Sequence, residues 1–369
     1  MKAIAAKKQR ELRTQLEKQG IGSAAFMCTE ALFDPNVSYF SGLNLQRNSS
    51  FAFLIITPKK SLLAVSALEY EQAQKEANVS EIVNLDRISA LDKLIKDALP
   101  KGRPVGVSGR NLSYSASKLL SGRRLKEISG ICSKIRAVKE PQEIELIKKA
   151  CRLADRGAKC LAETLSPNQT EREIALGIEN EMRRLGADEI AFPTIVTSGR
   201  RSSLIHPSPS FSGRKLGRGL GLADFGARVS GYCSDITVPF SIGRLSLREE
   251  KIARTVEKAY DLSVKAASVG VPAWKLHQTA ENFIKGEGFN LEYLIGHGIG
   301  LETHDAPVIS PKPLKIPKGW SETKLAPGMA FTIEPGIHVP GVGGWRLEND
   351  FLVTTDGVKR LTNATPVRR

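Results

Sequence analysis

Between residues 23 and 109 the apolar positions fall in short runs, SAAFMCT, FAFLIIT, SLLAVSA and PVGVSG, each bounded by polar or turn-forming residues. Stretches such as ALEYEQAQKEA and ALDKLIKDAL lie between them, with apolar positions recurring at three and four residues. Short β-rich runs predict strands and the longer periodic stretches predict helices. Their alternation predicts an α/β layer domain. The opening MKAIAAKKQRELRTQLEKQG carries both signs of charge and lacks the apolar segment of a signal peptide, so it reads as an amphipathic helix.

A longer helix follows, with Pro141 in its first turn, where no N–H donor is needed. Ile144, Ile147, Cys151, Ala154, Ala158, Leu161 and Leu165 share one of its faces. Thr170 and Glu173 have the spacing of a capping box for the next helix. A length of 369 residues suits two domains, and the boundary is expected near Arg136, giving 1–136 and 137–369. In the second part strands and helices interleave without a βαβ rhythm, which predicts an α+β domain.

That second part holds the candidate chemistry. In LADFGARVSGYCSDIT, Asp224 and Asp235 are expected to face each other across a hairpin turned by Gly226 and Gly231. AFTIEPGIHV and WRLENDFLVT, separated by a glycine-rich turn, carry Glu334 and Glu348, and the two-residue side-chain period sets Arg346, Glu348 and Asp350 on one face. His297 comes from the glycine-flanked GHGIGLETHDAP. A single Asp or Glu beside a strand is ordinarily a solvated turn residue. Four in one cleft would repel one another and take up protons unless cations were present. Oxygen ligands with a single imidazole suit Mn²⁺, Co²⁺ or Zn²⁺, and two divalent ions balance four carboxylates. A paired-metal hydrolase is the leading expectation.

The five histidines are His206, His277, His297, His304 and His338. Four lie in these motif segments, whereas His277, in the helical PAWKLHQTAENFI, reads as an ordinary surface or core residue. For His206 and His304 the alternative is a turn or capping role. A group that titrates near neutrality beside a hydrolytic centre fits an electrophile or proton carrier better.

At these residues the sequence resembles the pita-bread metallopeptidases, specifically the Xaa-Pro branch of family M24 with prolidase and aminopeptidase P. The matching blocks run from Asp224 to Thr237, Gly296 to His304, Ile333 to Gly336 and Arg346 to Asp350. FPTIVTSGRRSSLIHP supplies His206, IRAVKEPQEIELIKKA resembles the start of the catalytic domain, and NVSYFSGL resembles the creatinase-type amino-terminal domain. The resemblance implies an α+β fold, a carboxy-terminal pita-bread catalytic domain after a smaller α/β domain. It implies two divalent metal ions, Mn²⁺ or Co²⁺ ahead of Zn²⁺, held by Asp224, Asp235, His297, Glu334 and Glu348, with Asp235 and Glu348 bridging. A bridging hydroxide would attack the bond before proline, with Glu334 as proton shuttle. His206 and His304 would contact substrate and stabilise the oxyanion. Arg346 would orient the substrate or brace the metal shell, and Thr237 and Thr332 would support the ligands. The implied partners are a peptide with proline second and a second copy of the chain.

Two positions depart from the family pattern: Val238-Pro239 stands where Arg-Thr is usual, and His338 replaces a tyrosine frequent in the aminopeptidase branch. Both bear on specificity rather than on metal binding. Creatinase shares the domain plan but not the metals, and methionine aminopeptidase shares the ligands but lacks so large an amino-terminal domain. The net charge of +15 points instead to a metal-free relative acting as a protein- or nucleic-acid-binding module. Against that, all five ligands are kept, basic residues read as dispersed, and aromatics make up only 6%, too few for a base-stacking platform. Five cysteines without a Cys-x-x-Cys pair suit reduced thiols in the cytoplasm. No apolar run is long enough to span a bilayer, the longest being FAFLIIT.

Overall fold

The computed structural model describes residues 2–45, 51–85, 88–99, 102–207, 213–315 and 322–369. The chain divides into two compact units, Met1–Arg136 and Ala137–Arg369.

In the first unit α1 (Lys2–Lys18) precedes β1 (Ser23–Thr29), α2 (Pro35–Ser41), β2 (Phe51–Ile56) and β3 (Ser61–Ser66). Then come α3 (Ala67–Glu76), β4 (Glu81–Leu85), α4 (Ile88–Ala98), β5 (Val105–Val107), α5 (Tyr114–Leu119), β6 (Leu125–Glu127) and α6 (Ser129–Ala137). Among the described residues the six strands form one sheet, ordered β4-β3-β2-β1-β5-β6. Its central strands are continuous apolar runs because both faces are covered. Ala25, Met27, Phe53 and Ile55 pack with Leu91 and Ile95, while on the neighbouring positions Phe26 stacks on Phe40 at 5.4 Å. Asp34 caps α2 by accepting from the Asn36 N–H at 2.9 Å, and Gly42 ends it in the left-handed region.

The basic charge is not dispersed as the sequence pattern suggested. Residues 1–136 hold 22 Lys and Arg against 12 Asp and Glu, and residues 101–136 hold nine against the single Glu127. The first unit therefore carries +10 of the +15.

The second unit begins with α7 (Pro141–Thr164) and α8 (Glu171–Arg184), followed by β7 (Glu189–Ile190), β8 (Ile195–Ser198) and β9 (Gly219–Phe225). A small hairpin, β10 (Ala227–Val229) and β11 (Tyr232–Cys233), leads into β12 (Ile236–Ile242), α9 (Leu247–Ala266) and α10 (Ala273–Gly286). The remaining strands are β13 (His297–Gly298), β14 (Asp305–Val308), β15 (Ala330–Ile333), β16 (Gly336–Val339), β17 (Gly343–Arg346), β18 (Asn349–Thr354), β19 (Gly357–Arg360) and β20 (Val367–Arg368). Capping boxes open α7, α8 and α9 at Glu140, Thr170 and Ser246. One sheet runs β20-β12-β9-β8 and another β14-β13-β15-β18-β19. They are joined where the Glu348 N–H donates to the Thr237 carbonyl at 3.1 Å. Helices α7 to α10 bury Leu153, Leu161, Ile178, Ile252 and Leu276 in the same core as Phe225, Phe331 and Trp345. Pro239 lies opposite Leu222, one position before β20 begins to pair with β12 at Phe240. Its missing donor therefore falls where the outer neighbour is not yet paired.

The glycines around His297 have a steric cause. A Cβ on Gly296 would strike the Thr332 carbonyl, and one on Gly298 the Ala306 carbonyl, so the backbone can approach its neighbours only without side chains. Gly298→Ala should cost about 1–3 kcal/mol in denaturant unfolding. Gly177→Ala, inside α8 with open space around it, should stabilise by roughly 0.5–1 kcal/mol.

Candidate metal centre

Each half of the centre comes from one sheet. Asp224 lies near the end of β9 and pairs in register with Thr237, while Asp235 immediately precedes β12. From the other sheet, His297 opens β13, Glu334 follows β15 just before Pro335, and Glu348 sits at the break between β17 and β18. Asp224, Asp235, His297 and Glu348 are between 2% and 8% exposed. All five side chains line one cavity of about 290 Å³. Ligand atoms of Asp235, His297 and Glu348 lie within 4.8 Å of one another. His297 Nε2 is 3.3 Å from Glu334 Oε1 and 3.6 Å from Asp235 Oδ2.

His206 and His304 reach the same cavity from its exposed side, where Phe192, Pro193 and Ile195 add an apolar wall. The His304 and His297 rings are 4.2 Å apart. Partial burial and the neighbouring His297 push the His304 pKa down to about 4.

Arg346, 1% exposed, does not line the cavity. Its Nη2 donates to Asp224 Oδ2, its Nε to Thr237 Oγ1 at 3.0 Å and its Nη1 to the Ile205 carbonyl at 3.4 Å. That geometry suits bracing Asp224 and Thr237 from behind the cavity. Thr237 in turn donates to Glu348 Oε2 at 2.7 Å. Thr332 holds the main chain of His297 rather than its ring, its Oγ1 accepting from the His297 N–H at 3.1 Å.

The pattern of motifs missed one supporting residue and left another without a role. Asp350 Oδ2 accepts from the Asp235 N–H at 3.1 Å and from the Cys151 thiol at 3.3 Å, so it pins the segment carrying Asp235. Burial, partly offset by the Asp235 hydrogen bond, raises its pKa to about 7. Its alternation with Glu348 was the available signal. Tyr293, which donates to the Glu334 carbonyl at 3.3 Å, had none. His338 lies apart from the cavity, its Nδ1 3.0 Å from the Ser202 carbonyl.

The donor set fits divalent cations. Asp224 Oδ1 and Glu348 Oε1 are buried and accept no hydrogen bond among the described residues, a costly state for carboxylates without a counter-charge. Burial, then Glu348 and Asp224, hold the Asp235 carboxyl well above its ordinary range. Burial, then Glu334 and Asp224, do the same for Glu348. Burial also raises Asp224, against the pull of Arg346. Burial opposes the charged forms of Glu334 and His297, but their mutual hydrogen bond outweighs it, lowering the glutamate and raising the histidine.

A two-unit α+β chain whose sheets bring four carboxylates and an imidazole into one buried cluster has the architecture of a metallohydrolase. The sequence model of the creatinase/prolidase N-terminal domain matches residues 8–138, and that of metallopeptidase family M24 matches residues 145–355. The chain belongs to metallopeptidase family M24. It is 34% identical over 338 residues to a Xaa-Pro dipeptidase of Pyrococcus horikoshii, covering 89% of this chain and 90% of that protein. The solved Xaa-Pro dipeptidase of Bacillus anthracis superposes with a TM-score of 0.87 at 29% identity, over 99% of this chain and 100% of the other. The X-Pro aminopeptidase of Thermotoga maritima does so with a TM-score of 0.83 at 30% identity, over 98% and 99%. The pita-bread fold is thus the fold of the catalytic part.

The metal-free centre has a definite pH signature. Asp235, Glu348 and Asp350 are raised in the folded state, so folded protein holds more protons than unfolded. Their stabilising contribution is full below the unfolded carboxylate range, near pH 4, and is lost as pH rises through the folded values. Glu334, lowered, contributes above that range and stays constant over the same window. Burial lowers His277, His304 and His338, which add stability as pH rises to the unfolded histidine range, near pH 6.5. The melting temperature of chelated protein should therefore fall above that range, from about pH 7 to pH 8.5. Added Mn²⁺ should raise it more at the upper pH and release protons on binding, read by calorimetry in buffers of different ionisation enthalpy. Equal metal stabilisation at both pH values, with no proton release, would contradict this.

Proposed function

We propose that the protein is a metal-dependent exopeptidase that hydrolyses the peptide bond before proline, as a Xaa-Pro dipeptidase or Xaa-Pro aminopeptidase. The observation that carries this reading is the shared cavity: five ligand side chains, two further histidines and an apolar wall. The names of the relatives, dipeptidase and aminopeptidase of Xaa-Pro type, support the substrate class.

Asp224, Asp235, His297, Glu334 and Glu348 would hold two divalent ions, proposed as Mn²⁺ or Co²⁺. When bound, such ions neutralise the carboxylates, acidify a water and polarise a carbonyl. Glu334, charged and next to His297, accepts a proton from the attacking water and delivers it to the departing imide nitrogen. His304, neutral and free to donate through one ring nitrogen, and His206 contact the substrate carbonyl and stabilise the developing oxyanion. Phe192, Pro193 and Ile195 offer an apolar surface on which a pyrrolidine ring can pack while water is kept out. Arg346 and Thr237 hold Asp224 and Glu348 in place through the cycle. The proposed setting is a cytoplasmic homodimer, and five cysteines without a disulfide among them fit a reducing compartment.

The test is hydrolysis of Xaa-Pro, Xaa-Pro-Xaa and Met-Ala-Ser peptides by chelated protein and after return of Mn²⁺, Co²⁺ or Zn²⁺. Activity should be lost on chelation, return with metal, and require proline second. Cleavage of the methionyl peptide alone would replace this reading with a methionine aminopeptidase. Asp235→Asn and Glu348→Gln should abolish activity with circular dichroism unchanged. Thr237→Val should lower metal affinity or activity roughly 10- to 100-fold. Full activity in either ligand variant would end the proposal.

A further inference from the structure

Part of the basic charge of the first unit stands at one end of its sheet. Strand pairing sets Ser23 beside Val105, Val105 beside Leu125, and Ala24 beside Ile56. The residues just beyond these positions, Lys59, Arg103 and Arg124, are thereby brought to the same edge. At this end is a cavity of about 560 Å³, walled by Arg13 and Leu16 of α1, residues 20–22, Thr57, Pro58 and Arg103, a size typical of small-molecule pockets.

Its cations are not neutralised from within. Arg13 is anchored along one edge, Nε donating to the Thr57 carbonyl at 2.8 Å and Nη2 to Gln9 Oε1 at 3.4 Å, which fixes the guanidinium and leaves its Nη1 without a partner among the described residues. Burial, then the neighbouring Arg10, lower the Arg13 pKa, as befits a cation lacking a carboxylate. Arg103 rests its stem against Gly22, and neither it nor Arg124 makes a side-chain hydrogen bond or ion pair among the described residues. Lys60, by contrast, is paired with Glu81 at 3.3 Å. Glu17, exposed, is the one carboxylate in the wall.

We propose that this end of the sheet is a binding site for a small anion, a molecule presenting a phosphate or carboxylate group to Arg13 and Arg103. A fixed guanidinium beside one without a described partner suits charge-assisted bonds to such a group, and a concave wall concentrates the positive potential. The wall contains no aromatic side chain, so it offers bases nothing to stack on. That favours a small anion over single-stranded nucleic acid.

The experiment is calorimetric titration of the metal-loaded protein with inorganic phosphate and, separately, with malonate; the arm that binds identifies the anion. Because phosphate can also meet the metal centre, Asp235→Asn is titrated in parallel. Saturable binding retained in Asp235→Asn and weakened at least about tenfold in Arg103→Ala, with Arg254→Ala as wild type, is the expected result. Arg103→Ala should keep its peptidase activity, which reports an intact fold even if Arg13→Ala, which loses the Thr57 anchor, does not fold. Wild-type affinity in Arg103→Ala, loss of binding in Asp235→Asn, or binding of neither anion would overturn the site. So would tight, salt-sensitive binding of oligothymidylate that competes for it.

Discussion

The second unit is organised around negative charge that has been taken out of water. Asp224, Asp235, Glu348 and Asp350 are each at most 6% exposed, and Glu334 stands next to them. A carboxylate in that setting must be protonated, paired or bound to a cation. Each route is present in part. Arg346 pairs with Asp224, His297 with Glu334, and the remaining groups are pushed toward their protonated forms. Divalent cations would relieve the protonated groups and the unpaired oxygens, with Arg346 still bracing Asp224. For a family M24 chain, the electrostatic cost of the metal-free site is thus the counterpart of its affinity for metal.

The fold supports such a cluster by spreading its members over two sheets. Asp224 and Asp235 belong to the β9–β12 side, and His297, Glu334 and Glu348 to the β13–β15–β18 side, with Thr237 and Glu348 forming the seam. Neither sheet holds enough ligands alone. Hydrogen bonds donated by Arg346 and Thr237, and one accepted by Asp350 from the Asp235 N–H, then fix these groups from behind. They leave unpaired oxygens toward the cavity, as a preorganised site requires.

The residues proposed as ligands stood out because metal chemistry demands particular residue types in particular local contexts, such as the glycines that let the main chain pass close to the Thr332 and Ala306 carbonyls. Strands SAAFMCT and SLLAVSA were equally plain, since burial on both faces produces unbroken apolar runs. Harder to see were Tyr293 and Cys151, whose roles depend on partners 41 and 199 positions away. For Arg346 the pattern allowed two roles, and its burial behind Asp224 favours bracing. The basic excess of residues 101–136 stands in one stretch of the sequence, but its meeting with Arg13 does not: β1 and β5 are neighbours in the sheet and far apart along the chain.

What the sequence determined unaided was local: which segments form strands and helices, where helices are capped, and which carboxylates and histidines stand in motifs that suit metal chemistry. Those properties follow from residue type and short-range periodicity. The tertiary structure alone decided which groups meet, at what distances and with what shared charge, from the 3.3 Å approach of His297 to Glu334 to the convergence of Arg13 and Arg103 on one cavity. Such couplings depend on strand register and on packing between distant segments, and neither is written in any one stretch of the chain.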